Sequence, residues 1–586
     1  MNPDTAQVSR IQRRQAATSS ASSVAELLQN ITNSRGAESE QERNLSLASL
    51  LPPTDLLGCT EAAKRLATGI EQQQRFLIVG DFDADGATSV AVAVLALRAF
   101  GARNVDFLVP NRFEYGYGLT PEIVEVARGF QPDILITVDN GIASHEGVAR
   151  AKSLGWQVIV TDHHLAADTL PDADVIVNPN QPGCGFKSKA LAGVGVIFYV
   201  MSAVRGELRA RDYFERAQIV EPAMADWLDI VALGTVADVV PLDHNNRILV
   251  EQGLRRMRAG QLRPGIQALL ELTRRDVTSL VAADLAFAVA PRINAAGRLE
   301  DMAIGIRCLL AATSSEASRL ATELDRLNGE RRVIEQSMKN EAAEALTQMG
   351  TIASAADCPS VIVLHDPRWH QGVIGILASR IKEQFHRPVI IFARDGESQL
   401  KGSARSIPGL HIRDILDSVA TAHPGLVVKF GGHAMAAGLT IACSDYERFT
   451  EALTSVVDAN VTEEILAPIK LSDGPLSSDF FTLECARSLR FYQPWGQHFP
   501  EPLFDNHFDI KRVRILSEQH AKLEVALSGE QICFSAIAFN VDPEFYLQHE
   551  GRSLRLLYKL DINSYRGTQS LQLMIEHAES GLQHSL

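Results

Sequence analysis

The sequence contains no pair of cysteines with CxxC spacing, and its seven cysteines are scattered over 586 residues. Neither a zinc knuckle nor a disulfide framework is therefore expected, and a reducing cytoplasm is the natural setting for such a chain. No apolar run approaches the roughly 20 residues that cross a bilayer, and the N-terminus lacks the apolar core of a secretory signal. We therefore expect a cytoplasmic protein with no membrane association.

An overall excess of basic residues is also missing, because the net charge is −15. This disfavours a protein that coats nucleic acid with a generally basic surface. It leaves room for a local basic groove, since part of the acidic excess can lie in a metal-binding cluster. The composition is that of a globular protein, and the length suggests roughly three or four domains.

Residues 1–48 carry Arg10, Arg13 and Arg14, a stretch rich in Ser and Ala, and a short apolar helix around Leu27. Such a start resembles an organelle transit peptide, but a frayed N-terminal arm is the simpler interpretation. We assign no function to this arm.

Residues 49–312 alternate short β-branched runs with longer amphipathic segments. This alternation predicts an α/β domain with a doubly wound parallel sheet. The runs are FLIV before Gly80, VDFLV from Val105, ILITV from Ile134, QVIV from Gln157 and VIVN from Val175. Ligands of such sheets lie beyond the C-terminal ends of the strands, so the polar residues after each run should converge.

Three further segments follow. Residues 313–349 open with a capping box at Thr313 and Glu316 and predict one long connecting helix. Residues 350–466 predict a second α/β domain, and residues 467–580 hold about five short alternating runs that suit a small closed barrel such as an OB-fold.

The most informative motif is GDFDADG, in which Asp81, Asp83 and Asp85 follow a buried strand. Three carboxylates at alternate positions repel one another unless cations lie among them. A calcium loop of the EF-hand type would need a closing Glu, which is absent. A solvated acidic turn is the remaining alternative for this motif taken alone.

Other acids and histidines follow the later strands. Asp139 ends one strand, and Asp162, His163 and His164 end another. Oxygen and imidazole ligands of this kind suit pairs of manganese or magnesium ions more than zinc with thiolates. Asp238 stands in an otherwise apolar stretch, where a carboxylate needs a metal or a cationic partner.

In this order, DFDADG, VDNG, TDHH and TVADVVPL resemble the motifs of the DHH phosphoesterase superfamily, and GGHAMAAG resembles the signature of its companion DHHA1 domain. The whole chain, with its long connecting helix and terminal barrel, resembles the bacterial single-strand-specific exonucleases of that superfamily, and the resemblance extends over roughly residues 50–580. It implies two Mn²⁺ or Mg²⁺ ions, bridged by Asp139 and held by Asp83, Asp85, Asp139, His163 and Asp238. It also implies that Asp81, Asp162 and His164 orient ligands, substrate phosphate or the attacking water.

The same resemblance marks residues for contact with nucleic acid. Any one of these arginines, taken alone, is more often a surface salt-bridge partner. Their places in family motifs imply contacts with the terminal 5′ phosphate or nearby backbone for Arg112, Arg298, Ser403 and Arg405. Gly432 and His433 of GGHAMAAG could contact the backbone of a DNA strand, and the alternative is that the motif is a simple turn beneath a helix.

The sequence therefore predicts an exonuclease that digests single-stranded DNA from 5′ to 3′ into mononucleotides, with polarity implied by the resemblance alone. A role in repair and recombination beside a helicase and a single-strand-binding protein follows from the family. Two alternatives are a DHH-type phosphodiesterase of short oligonucleotides or other small phosphoester or phosphoanhydride substrates, and a non-catalytic scaffold. Because every predicted metal ligand precedes residue 240, we expect a chain truncated near Pro468 to retain its chemistry.

Overall fold

The computed structural model describes residues 10–14, 21–110, 118–166, 169–348, 358–565 and 567–579. These residues form two compact units. The first unit comprises Thr32–Gly329 together with Arg490–Glu501, and the second comprises Met1–Ile31, Glu330–Leu489 and Pro502–Leu586. Among the described residues, no helix combines the length and apolar character needed to cross a membrane.

The first unit contains the predicted parallel sheet. Its five strands lie side by side in the order Val105–Leu108, Phe76–Val79, Ile134–Val138, Gln157–Thr161 and Val175–Val177. All neighbouring pairs are parallel. Phe76–Val79 and Ile134–Val138 are buried along their whole length, which explains why these runs are continuously apolar rather than alternating.

Helices cover this sheet and extend the first unit. The longer ones are Cys59–Glu71, Ala84–Ala99, Pro121–Ala127, His145–Ser153, Gly193–Ala210, Leu228–Ala237, His244–Arg258, Pro264–Leu272, Ala290–Leu299 and Ala303–Leu310. Ala84–Ala99 is buried over most of its length because its small residues allow close packing on all sides. The predicted connecting helix is present as Ser314–Gln348.

The second unit contains a mixed sheet in the order Lys429–Gly432, Ala436–Ala442, Gln399–Arg405, Val389–Asp395 and Ile362–His365. The last two strands are parallel and the other pairs are antiparallel. The helices Ile374–Phe385 and Ile412–Ala422 pack against this sheet, and helix Tyr446–Asp458 packs beside Ile412–Ala422 with Phe449 against Phe392 of the sheet. GGHAMAAG therefore spans a β-hairpin and not a turn beneath a helix.

The predicted C-terminal barrel is also present in the second unit. Five strands close in the order Phe504–Ser517, His520–Leu527, Cys533–Phe539, Thr568–Glu579 and Ser553–Tyr565. Its interior is apolar, and fully buried Phe504, Phe508 and Tyr558 are among its largest side chains.

The expectation of a frayed N-terminal arm is wrong for Arg10–Arg13. This segment forms a strand that pairs in parallel with Ile469–Ser472. Ile11 is buried, and Arg13 lies 2.8 Å from the buried carboxylate of Asp505. An arginine-rich start gives no local sign of this pairing, because its acidic partner lies 492 residues further along the chain.

Candidate metal centre

Asp81, Asp83 and Asp85 stand where strand Phe76–Val79 gives way to helix Ala84–Ala99. Asp83 is the N-cap of this helix and accepts a hydrogen bond from the Gly86 amide at 3.0 Å. Asp85 is buried and accepts hydrogen bonds from the amides of Gly193 and Val194 at 2.6 and 2.9 Å. The start of helix Gly193–Ala210 therefore fixes this carboxylate.

Asp139 follows strand Ile134–Val138 in a left-handed backbone conformation, with φ of 63°. Such a conformation is uncommon outside glycine and is found at functional sites. Gly193 provides the space that Asp139 needs, because a Cβ atom at Gly193 would lie 2.6 Å from Oδ1 of Asp139.

Asp162 follows strand Gln157–Thr161 and accepts hydrogen bonds from four nitrogen atoms. The backbone amides of Ile142, His163 and His164 donate at 2.9, 2.7 and 3.1 Å, and Nδ1 of His164 lies 2.8 Å away. Asp162 therefore has little free capacity for a ligand, and it fixes both histidines in place.

The ligand atoms group into three overlapping sets, each within 4.8 Å. The sets are Asp139 with His163 and His164, Asp85 with His163 and Asp238, and Asp81 with Asp83 and Asp139. Nε2 of His163 lies 3.1 Å from Asp139, 3.5 Å from Asp238 and 3.9 Å from Asp85. Because Asp139 and His163 each belong to two sets, the geometry suits two neighbouring ions that share ligands.

The pKa values of the carboxylates in this cluster also favour bound cations. Burial and then the charge of Asp83 raise the pKa of Asp85 to about 7. Burial and the neighbouring carboxylates also raise the pKa values of Asp139 and Asp238. Carboxylates held so close resist ionisation without a cation, and a bound cation reverses that preference.

The pKa values of Asp162 and His164 shift in opposite directions, towards the charged form of each group. Burial alone would raise the pKa of Asp162, but the hydrogen bond and charge of His164 lower it. Burial would lower the pKa of His164, but Asp162, Asp81 and Asp83 together raise it to about 9. Asp162 is thus held as a carboxylate that orients the His164 ring.

The donor set fits manganese or magnesium. Oδ1 of Asp139 is buried and makes no hydrogen bond to any described residue, which leaves an oxygen lone pair directed into the cluster. Carboxylate oxygens with one or two imidazoles are suitable ligands for these ions, and no cysteine takes part.

Three asparagines support the histidines and the first acidic motif, and this role was not predicted from the sequence. Asn178 and Asn180 donate from their amides to the carbonyls of His164 and His163 at 2.9 and 2.6 Å. They follow strand Val175–Val177, so the rule that located the other polar residues could have found them. Asn294 accepts from the Ala84 amide at 2.7 Å and holds the first motif from outside.

The residues predicted to contact nucleic acid lie in both units. Arg298 is in the last turn of helix Ala290–Leu299, whose Asn294 and Gly297 pack against the Phe82–Ala84 turn of the first motif. Arg112 lies outside the described residues.

Ser403 and Arg405 lie on strand Gln399–Arg405 of the second unit. Arg405 donates to Oγ of Ser403 at 3.1 Å and to the Ala404 carbonyl at 2.8 Å, and burial lowers its pKa. Among the described residues it has no carboxylate within 4.0 Å. A Cβ at Gly375 would lie 3.0 Å from its Nη2, so the start of helix Ile374–Phe385 adjoins the guanidinium.

The hairpin that carries Gly432 and His433 adjoins the same strand. Ala436 pairs with Arg405, and Gly432 pairs with Ala437. Gly432 has φ of 146°, and exposed His433 donates its amide to the Ala436 carbonyl at 2.8 Å. The structure thus brings Ser403, Arg405 and this hairpin to one region of the second unit.

Comparison with known proteins agrees with this architecture. Three family models match: the DHH family, N-terminal domain, over residues 75–235, the DHHA1 domain over residues 359–459, and the RecJ OB domain over residues 472–577. The single-stranded-DNA-specific exonuclease RecJ of Escherichia coli (strain K12) is 51% identical over 94% of this chain and 95% of its own length. Its counterpart in Haemophilus influenzae is 47% identical over 97% of this chain and 99% of its own length.

Solved structures agree as well. The crystal structure of RecJ in complex with Mn²⁺ from Thermus thermophilus matches with a TM-score of 0.76 and 28% identity, over 99% of this chain and 80% of that one. The complex with Mg²⁺ matches with a TM-score of 0.73 and 26% identity, over 98% and 78%. The predicted fold class is confirmed, and the chain belongs to the RecJ family.

Proposed function

We propose that the protein is a metal-dependent exonuclease that hydrolyses single-stranded DNA from the 5′ end to mononucleotides, in DNA repair and recombination. The observation that carries the proposal is the cluster of acids and histidines at the sheet edge, whose carboxylates repel one another until cations lie among them. Relatives named as single-stranded-DNA-specific exonucleases support the substrate, and RecJ structures with Mn²⁺ and Mg²⁺ support the metals.

Asp83, Asp85, Asp139, His163 and Asp238 are the proposed ligands of the two ions. Asp139 is the proposed bridge, which its membership of two ligand sets supports. Two divalent ions, when bound, supply a nucleophilic water at neutral pH and stabilise charge on the attacked phosphate and the leaving oxygen.

The remaining residues of the cluster position the reacting groups. Asp162 lies 2.8 Å from Nδ1 of His164 and so fixes the orientation of the imidazole ring, and we assign His164 the role of orienting a phosphate oxygen or the attacking water. Asp81 is the first acid of the GDFDADG motif, and its Oδ1 already accepts a hydrogen bond from the Phe82 amide at 2.7 Å. We assign it the role of orienting neighbouring ligands.

Ser403 and Arg405 are the proposed contacts for the terminal 5′ phosphate, and Arg298, in the first unit, is proposed separately as a contact for the DNA backbone. The guanidinium of Arg405 is only partly exposed and has no carboxylate within 4.0 Å in the described part of the chain, so an anion from outside the protein is its natural complement. Gly375 lets the first turn of helix Ile374–Phe385 lie close to the same anion. Gly432, His433 and Arg112 are each proposed to contact the sugar–phosphate backbone of the DNA.

The five-stranded barrel favours a long single-stranded DNA over a small phosphoester as substrate, since a small molecule needs no extra binding module. The complete ligand set argues against a non-catalytic scaffold. A cytoplasmic location, and work beside a helicase and a single-strand-binding protein, belong to the same proposal. So do the domain limits 49–312, 313–349, 350–466 and 467–580; helix Ser314–Gln348 supports the second of these ranges, and the barrel supports the last one from Phe504 onward.

The direct test incubates full-length protein with single strands labelled at either end, with duplex DNA and with RNA, in Mn²⁺, Mg²⁺ or chelator. We expect labelled mononucleotide at once from the 5′ label, a ladder of shortening strands from the 3′ label, and no digestion in chelator. The reverse pattern of labels would refute the polarity. Equal digestion of duplex would refute the strand specificity, and digestion in chelator would refute the metal chemistry.

A further inference from the structure

The loop Asp238–Asp243, which carries one proposed metal ligand, has a strained backbone. Val239 follows Asp238 directly and has φ of 59° while 62% of its surface is exposed. A β-branched side chain rarely adopts the left-handed conformation, and such strain persists only where the surroundings impose it. The residues that impose it therefore bear on the position of Asp238.

Two parts of the first unit hold this loop from nearby. The side-chain amide of Asn246 donates to the Pro241 carbonyl at 2.9 Å, and Oγ of Ser188 donates to Asp243 at 2.6 Å. A third anchor comes from far along the chain, because the Leu242 amide donates to the Gln497 carbonyl at 2.8 Å.

Gln497 belongs to a tight turn, Gly496–Phe499. The amides and carbonyls of Gly496 and Phe499 are paired in both directions, at 2.9 and 3.1 Å. Exposed His498 has φ of 58°, the conformation that the third residue of a type II turn requires. This geometry presents the Gln497 carbonyl outwards to the loop.

The turn is fixed by packing in the first unit. Phe499 is 2% exposed, and the guanidinium of Arg247 lies 4.2 Å from its ring centroid. Trp495 stacks on Phe499 with centroids 5.4 Å apart, and Arg35 lies 5.5 Å from the Trp495 ring. Gly496 lies so close to the loop that a Cβ there would be 2.7 Å from Leu242 Cδ1.

We propose that the turn Gly496–Phe499 is a positioning element of the metal centre, which holds the loop Asp238–Asp243 so that Asp238 stays within ligand distance of His163 and Asp85. The proposal rests on the proposed function of that cluster. In the chain, the turn lies between helix Leu483–Phe491 and barrel strand Phe504–Ser517. A chain truncated near Pro468 would lose it, so we no longer expect that truncation to retain full chemistry.

The test compares His498→Val with His498→Gly in the full-length protein. His498 is exposed, so neither change removes a packed side chain, but valine disfavours the turn and glycine favours it. We expect valine to weaken Mn²⁺ binding to the metal-free protein by about tenfold, as loss of support around ligands does. Glycine should leave the affinity unchanged. Binding is followed by the electron paramagnetic resonance signal of free Mn²⁺, without DNA.

A second variant separates positioning from general destabilisation. Arg274 is exposed, lies in the same unit and has φ of 54°, so Arg274→Val introduces the same strain away from the loop. Arg274→Val should leave both the Mn²⁺ affinity and the rate of hydrogen exchange at the Leu242 amide unchanged. His498→Val should weaken Mn²⁺ binding and speed that exchange. Adding Val239→Gly to His498→Val should restore much of the affinity, because the loop then stores no strain.

Wild-type affinity and exchange in His498→Val, or equal losses in His498→Val and Arg274→Val, would overturn the proposal. A wild-type protein that binds no Mn²⁺ would instead overturn the proposed function, and this proposal with it. The two failures are distinguishable, because the first leaves Mn²⁺ binding by the wild type intact.

Discussion

Gly193→Ala tests whether the position of Asp139 controls catalysis. The new Cβ would lie 2.6 Å from Oδ1, 2.7 Å from Cβ and 2.8 Å from Cγ of Asp139. Ordinary contact begins near 3.4 Å, so the carboxylate or the helix start must move by about 0.8 Å. Misplacement on the order of 1 Å costs about 10²-fold in rate at a well-oriented site, and we expect a loss of this size in kcat.

The assay measures kcat on single-stranded DNA at saturating Mn²⁺, with the melting temperature as a check on folding. Gly206→Ala is the matched control, because it lies in the same helix and a Cβ there meets nothing within 4 Å. Alanine favours helix at both positions, so helix propensity does not separate the two variants. A folded Gly193→Ala protein with near-normal kcat would refute the bridging role assigned to Asp139.

Three further predictions concern other residues. Asp139→Ala should abolish hydrolysis but leave DNA binding largely intact, measured by turnover and fluorescence anisotropy; near-normal turnover would contradict it. Arg405→Ala should slow digestion of 5′-phosphorylated strands about tenfold more than that of 5′-hydroxyl strands, and equal slowing would assign Arg405 to internal backbone. Asp505→Ala should destabilise the second unit by about 2 kcal/mol in denaturant unfolding, because it removes the buried carboxylate that accepts hydrogen bonds from Arg13, Ser472 and Arg555, and a change below about 1 kcal/mol would contradict this.

The pH dependence of that last contribution follows from Asp505. Burial would raise its pKa, but hydrogen bonds from Arg13, Ser472 and Arg555 lower it. A carboxyl with a lowered folded-state pKa contributes stability above its unfolded-state pKa of about 3.9 and loses it as pH falls through the folded value. The difference in stability between wild type and Asp505→Ala should therefore be constant near neutral pH and shrink only in acid.

The sheet and its ligand edge were predictable because their signals are local. Each buried strand is a short β-branched run, and parallel strands end at one edge, so Asp81, Asp139 and Asp162 had to converge there. The same rule applied to Val175–Val177 would have included Asn178 and Asn180.

Long-range partners were not predictable in this way. Arg13 bonds to Asp505 across 492 residues, and neither residue has a local pattern that specifies the other. The same holds for Leu242 and Gln497, whose contact uses backbone atoms only. Residue types do not indicate which partner a backbone carbonyl binds, so nothing in the sequence indicated that truncation near Pro468 would remove a contact of this loop.

The strained backbone conformations at the metal centre and the space that Gly193 leaves there are connected. Asp139 and Val239 both have left-handed backbones, one at a proposed ligand and the other directly after one. Gly193 gives Asp139 its space, while the turn Gly496–Phe499 and Asn246 hold the loop after Asp238. Carboxylates that repel one another would relax apart if their backbones were free to do so. Rigid support is therefore needed before metal binds, so damage to the loop that follows Asp238 should lower metal affinity first, whereas a clash at Gly193 displaces the proposed bridging carboxylate itself and should lower kcat even at saturating metal.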